Sequence, residues 1–163
     1  MEIRKADPSD IKRIMEIYSF ARHRMAENGN PTQWGSSYPP IGLIERDIAA
    51  SRSYVICGDD IIHGVFYLAH GDDPTYKLIE DGQWLNDEPY VTIHRVAGDG
   101  QAHGIFRAAA DFAKAISANI RIDTHRDNHI MQGALTREGF RKCGRIYTES
   151  GSPRIAYQWC RDI

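Results

Sequence analysis

The run from Tyr90 to Phe140 constrains this chain more than any other stretch. Tyr90–Val96 alternates like a strand and leads through Gly98-Asp99-Gly100 into Gln101-Ala102-His103-Gly104-Ile105-Phe106. An amphipathic helical pattern follows, then a second strand over Ile120–His125 and a second helix opening near Asn128. A glycine-bearing loop between a strand and a helix N-terminus turns several free main-chain N–H groups toward one point. Such a loop suits an anion, above all the pyrophosphate of a nucleotide-like ligand.

The remaining chain supplies elements of matching size. Glu2–Ala6 reads as a first strand, with Pro8 stopping it and Ser9 placed to cap a helix. Ile11, Ile14, Met15, Tyr18, Ala21, Arg22 and Met25 then recur at helical spacing, and Gly29-Asn30-Pro31 ends that helix. Ile41–Ala50 predicts a second helix, and Tyr54–Cys57 and Ile61–Ala69 predict a hairpin closed at Gly58-Asp59-Asp60. Gly71–Pro89 is turn-rich but carries Tyr76, Leu78, Ile79, Trp84 and Leu85, so it is expected to fold over the sheet. Phe140–Thr148 and Arg154–Trp159 predict two closing strands. The sum is a mixed α/β layer fold in one domain spanning residues 1–163.

Composition removes several function classes. The 163 residues carry a net charge of −2, so no global field points to nucleic acid or to an anionic membrane. A local basic group (Arg121, Arg126, Arg137, Arg141, Lys142, Arg145) reads as a solvated face, with a partner surface as the rival reading. The three cysteines form no C-x-x-C pair, which argues against a disulfide framework or a zinc ribbon. Met1–Pro8 lacks the apolar core of a signal peptide and no stretch is long enough to span a bilayer, so a cytoplasmic location is expected.

With these motifs in this order, the chain resembles the GCN5-related N-acetyltransferase (GNAT) family along nearly its whole length. The family carries Arg or Gln at a helix start, Gly three positions on, and a small residue two after that. Gln101 and Gly104 match, and Phe106 stands where the small residue belongs. The family's next helix commonly reads N-x-x-A-x-x-x-Y-x-x-x-G-F. Asn128, Gly139 and Phe140 match it, while Met131 and Leu135 replace the alanine and the tyrosine. The resemblance implies a mixed, mostly antiparallel sheet with splayed central parallel strands, flanked by helices. It also implies acetyl-CoA as acyl donor and a primary amine of a small molecule as acceptor. Neither nucleic acid nor membrane is expected as a partner; a homodimer is left open.

On that reading the main chain of Arg95, Val96, Ala97 and Gly98 pairs with the pantetheine arm as an added strand would. The loop residues Gln101, Ala102, His103, Gly104, Ile105 and Phe106 hold the pyrophosphate. Asn128 and Met131 are the remaining donor-side candidates, with helix capping the rival role for Asn128. An amine of pKa about 10 needs a base at neutral pH. His94 leads, with Asp123 and His125, alternating on the next strand, as second candidates. An acid for the leaving thiolate would come from Tyr147, Tyr67 or Tyr90, unless a thiol of pKa about 8.5 leaves unaided. Arg22, Met25, Gln33 and Trp34 are the acceptor-side candidates, an arginine beside an aromatic being suited to a carboxylate. The alternation Asp123, His125, Asp127, His129 could suit a metal only if the strand ran on through all four, and no metal site is expected. Leu135 in place of tyrosine motivates the alternative of a CoA-binding or sensor module without catalysis.

Overall fold

The computed structural model describes residues 1–163. Its strands are β1 (Glu2–Lys5), β2 (Ser53–Gly58), β3 (Ile61–His70), β4 (Val91–Gly98), β5 (Asn119–Thr124), β6 (Arg141–Tyr147) and β7 (Pro153–Cys160). Its helices are α1 (Ile11–Glu27), α2 (Ile41–Ala49), α3 (Ile105–Ile116) and α4 (His129–Arg137). The seven strands form one sheet in the order β1-β2-β3-β4-β5-β7-β6. Every neighbouring pair is antiparallel except β4 and β5.

Strand alternation decides which helices cover which face. Val55, Val65 and Ala97 point to one side, where Ile14, Ile17 and Tyr18 of α1 and Ile44 of α2 close over them. Ile56, Phe66, Ile93, Ile120 and Ile122 point to the other, against Ala109, Ala110 and Ala113 of α3 and Leu135 of α4. The three alanines let α3 lie close to the sheet, and each large apolar side chain buried contributes about 1.5–3 kcal/mol. At the β2–β3 hairpin Asp59 and Asp60 both have positive φ, 52° and 63°, the signature of a two-residue turn that follows the sheet twist.

The segment between β3 and β4 folds over the far half of the sheet, as its apolar residues predict. Tyr76 and Tyr90 are buried with Ile146 and Ala156, and Trp84 packs against them. Arg121 is clamped between the Trp84 and Tyr90 rings, at 4.3 and 4.1 Å. Glu80 exchanges both main-chain hydrogen bonds with Arg145, so the outer edge of β6 is paired rather than left open.

Two local expectations change. The cap before α1 is Asp7, whose carboxylate accepts from the Ser9 N–H at 3.0 Å; Ser9 itself lies inside a 3-10 turn over Pro8–Asp10. β5 ends at Thr124, so His125 leaves the strand and the alternation through Asp127 and His129 has no common face.

Candidate functional site

The loop after β4 is fixed by one carboxylate. Asp99 is buried and accepts from Arg13 Nη2 at 2.7 Å, His63 Nδ1 at 2.8 Å and the Gln101 N–H at 2.9 Å. Burial alone would raise its pKa. The Gln101 amide, His63 and Arg13 outweigh that and hold it below the usual carboxylate range. The chain then turns at Gly100, with φ +77°, where a Cβ would come within 2.7 Å of the Phe20 ring. Gly104, with φ +75°, sets the start of α3 in a left-handed conformation that favours glycine.

From Ala102 to Arg107 no main-chain N–H donates to a protein acceptor. These donors lie at the positive end of α3, an arrangement suited to a diphosphate. The Gln101 amide does not join them, because Asp99 takes it. Phe106, the departure from the small residue, turns its ring inward against Phe140, with centroids 6.0 Å apart. Ile105 packs beneath Gly64 and Gly98, where a Cβ would come to 2.9 and 3.0 Å of it. Both side chains anchor the helix and leave their amides outward; His103 is exposed.

Next to this loop the sheet forks. β4 and β5 pair only at Val91–Ile120 and Thr92–Arg121, although β4 runs on to Gly98 and β5 to Thr124. The edge of β4 from Ile93 to Gly98 that faces β5 therefore has no strand partner, and Arg95, Val96, Ala97 and Gly98 lie along it. On the other side β3 meets a bulge: Val65 pairs with Ala97 and Tyr67 with His94, leaving Phe66 opposite both Arg95 and Val96. Arg95 has φ +52°, a backbone strain of about 1–3 kcal/mol. The Tyr18 hydroxyl, buried and with its pKa pushed up by that burial, donates to the Arg95 carbonyl at 2.9 Å. The Arg95 side chain pairs with Asp47 at 2.8 Å and lies 4.5 Å from the Tyr67 ring. Its side chain thus belongs to the α1–α2 side, and only its main chain faces the fork.

On that same side His94 is the centre of a polar cluster. Its Nε2 lies 2.9 Å from Asp73 Oδ2, and its Nδ1 stands 3.8 Å from Asp123 Oδ2. Burial opposes ionisation of Asp73, but His94 and Thr75 bring its pKa down to about 2. An ionised Asp73 can only accept, so Nε2 carries the proton and Nδ1 of the neutral ring is the basic atom. The buried Tyr76 hydroxyl donates to Asp123 at 2.7 Å. Burial first, and Asp123 second, push the Tyr76 pKa well up.

The other candidates separate. His125 Nδ1 accepts from the Asp127 N–H at 3.0 Å, and its Nε2 lies 3.3 Å from Thr32 Oγ1. Burial, then the charge of Arg154, lowers its pKa. It does not form a face with Asp123, because the strand has ended. Tyr147 is paired with Pro153 and so points to the α4 face; its hydroxyl accepts from Arg145 Nε at 2.9 Å, away from His94. The Tyr90 hydroxyl accepts from the Asp73 N–H, and the Tyr67 ring lies tilted against His94 with centroids 5.6 Å apart. Asn128 caps α4 through the Met131 N–H at 3.0 Å and donates to Gln33 Oε1 at 3.1 Å. With its amide taken and its side chain against the core, Met131 offers a ligand no hydrogen bond. Arg22 donates to the Tyr38 carbonyl at 3.1 Å. Trp34 packs edge-on against Tyr18 at 5.7 Å, Gln33 is held by Asn30 at 2.8 Å, and Met25 is half-buried at the end of α1.

This arrangement has close structural relatives. An acetyltransferase of the GNAT family from Streptococcus agalactiae is 31% identical, over 98% of this chain and 94% of that one, with a TM-score of 0.85. The chain belongs to the GNAT family. The fold also recurs in a GNAT-family acetyltransferase of Listeria monocytogenes, at 20% identity and a TM-score of 0.70 over 96% of this chain and 92% of that one. It recurs again in GphF, a GNAT-like decarboxylase in complex with isobutyryl-CoA, at 12% identity and a TM-score of 0.68 over 99% of this chain and all of that one. No protein-family sequence model and no curated protein matches the chain.

As a GNAT-family protein it is an acyl-CoA-dependent acyltransferase with an altered fourth helix. Leu135, at the position of the usual tyrosine, is fully buried in the core beside Phe140 and can donate nothing. Four residues of the site escaped the sequence reading: Asp99, which fixes the loop; Tyr18 and Asp47, which hold the bulge; and Asp73, which orients His94. No helix is long and apolar enough to cross a membrane.

Proposed function

We propose that this protein transfers an acetyl group from acetyl-CoA to the primary amine of a small molecule. The observation that carries the reading is continuity. The unpartnered amides of Ala102–Arg107 lead to the unpaired edge of β4, and that edge borders the strand residue His94. The amides would hold the diphosphate, and the free β4 edge would pair with the amides of the pantetheine arm. At the fork the amine nitrogen attacks the thioester carbon, the C–S bond breaks, and the thiolate leaves to be protonated from solvent. His94 Nδ1 takes the proton that the amine gives up. Asp73 keeps the ring in the tautomer that makes this work.

A thiol-release assay with acetyl-CoA and a panel of primary amines tests the proposal. Release above the rate of hydrolysis with at least one acceptor, and a mass increase on that acceptor, are expected. Tight CoA binding with no transfer to any amine would instead favour a CoA-binding module, the reading that the buried Leu135 supports.

A further inference from the structure

Arg154, the second residue of β7, is a buried cation without a counter-ion. It is 9% exposed. On the same face Arg95 is matched by Asp47, and Arg121 is held between the Trp84 and Tyr90 rings with Nη2 on the Asn86 carbonyl. Arg154 pairs with no carboxylate. Its Nη1 donates to Ser152 Oγ at 2.7 Å and to the Pro153 carbonyl at 2.9 Å, while Nη2 reaches only the Gln33 carbonyl, at 3.5 Å. Nε donates to nothing. The Nε/Nη2 edge, the side of a guanidinium that binds carboxylate or phosphate with two parallel hydrogen bonds, is thus left almost unused.

Burying an unpaired charge is costly, and desolvation accordingly pulls the Arg154 pKa down. That cost is recovered when an anion completes the pair. The position of Arg154 says which ligand could do so. Arg154 alternates onto the same face as Ala156, the face that carries Tyr76 and Asp123, and its charge acts on both Asp123 and His125. The open edge of the guanidinium suits a negatively charged visitor. Arg22, the arginine first considered for this role, is engaged with the Tyr38 carbonyl and lies outside the cluster.

We propose that Arg154 binds an anionic group of the acceptor, a carboxylate or a phosphate, while the acceptor's amine lies toward His94 and Asp123. The preferred acceptors are then amino acids or amino-phosphates rather than simple amines. This inference rests on the acyl-transfer reading and names the acceptor class for that same site.

Matched pairs test it: α-amino acids against their primary amides, and ethanolamine phosphate against ethanolamine. The first pair reads a carboxylate requirement and the second a phosphate requirement. Wild-type kcat/KM should favour the anionic member of at least one pair by about 10- to 100-fold, the worth of a hydrogen-bonded charge pair. Arg154→Gln should bring that ratio close to one, and Arg154→Lys, which keeps the charge but not the fork, should fall between. A wild-type ratio near one in both pairs overturns the inference, as does a ratio that Arg154→Gln leaves intact. Calorimetric titration of the same compounds into CoA-saturated protein separates the two readings. Anionic amines that bind wild type and not Arg154→Gln, yet are never acetylated, uphold the role of Arg154 and sink the acyl-transfer reading. Acetylation of neutral amines alone, with no binding of any anionic member, does the reverse.

Discussion

From Ala102 to Arg107 the protein offers main-chain N–H groups, whereas on the other face of the fork it offers side chains gathered from β4, β5, β7 and the segment over the sheet. The donor side is one continuous stretch whose geometry needs two glycines and a helix start, and its apolar side chains, Ile105 and Phe106, pack into the core. The acceptor side brings Asp73, His94, Asp123 and Arg154 together across more than half the chain. The contrast follows from the chemistry of the two ligands. A diphosphate is the same for every acyl-CoA, so backbone dipoles suffice and few side chains matter. An acceptor must be told from other amines and deprotonated, which takes particular side chains at particular places. Substitutions on the two sides should therefore fail differently.

The largest effect is expected at His94. His94→Ala should lower kcat by about 10²- to 10⁴-fold, the usual worth of a general base, with the affinity for CoA almost unchanged. Steady-state kinetics beside calorimetry with CoA checks both halves; a loss of CoA affinity in step with kcat would erase the division between the two sides. Gly104→Val should do the opposite. Forcing a β-branched residue into the left-handed region costs about 1–2 kcal/mol, which corresponds to about tenfold in the Kd for CoA, with kcat at saturating donor retained. No atom lies within 4 Å of the added Cβ, so the loss would come from the altered loop path rather than from a clash.

Smaller effects probe the joint between the sides. Tyr18→Phe removes the hydroxyl that binds the Arg95 carbonyl. It should cost about 1 kcal/mol, read as a fall in Tm of roughly 2–4 °C for a domain of this size. An unchanged Tm would mean the bulge holds itself. A further effect appears only in acid. The Asp73 carboxyl is depressed in the folded state, to about 2. The stability it contributes is thus fully present above its unfolded value of about 3.9, and is lost as pH falls from there toward 2. Asp73→Asn should flatten the dependence of unfolding free energy on pH within that window and leave the slope above it alone. Denaturant titrations at a series of acid pH values make the comparison.

What could be read from the residues follows the same division. The loop and both of its flanking elements were legible because their signals are local: a strand, glycines at the turn, and a helical period afterwards. The hairpin at Asp59-Asp60 and the sheet-covering segment were legible for the same reason. His94 and Asp123 could be placed on neighbouring strands, since alternation fixes a face. The error at His125 came from running the strand one residue past Thr124, which put a turn residue on a face it does not share. Tyr147 misled because it lies one step from Ile146, which faces the Tyr76 cluster, so alternation sends Tyr147 to the α4 side. Nothing in the sequence marked Asp73, Tyr18, Asp47 and Arg154 as residues of the site. Each acts through a partner at least 21 residues away, a distance that only the folded sheet and the helices and segment packed on it bring to contact.

An amide-resolved NMR titration with CoA tests the central claim most directly, that the donor is held by main chain at the head of α3 and along the fork. The amides of Ala102–Arg107 and of Ile93–Gly98 should shift together and saturate at one Kd, while those of β1, at the far edge of the sheet, stay still. Saturable binding that leaves Ala102–Arg107 unmoved and shifts amides elsewhere would contradict the account.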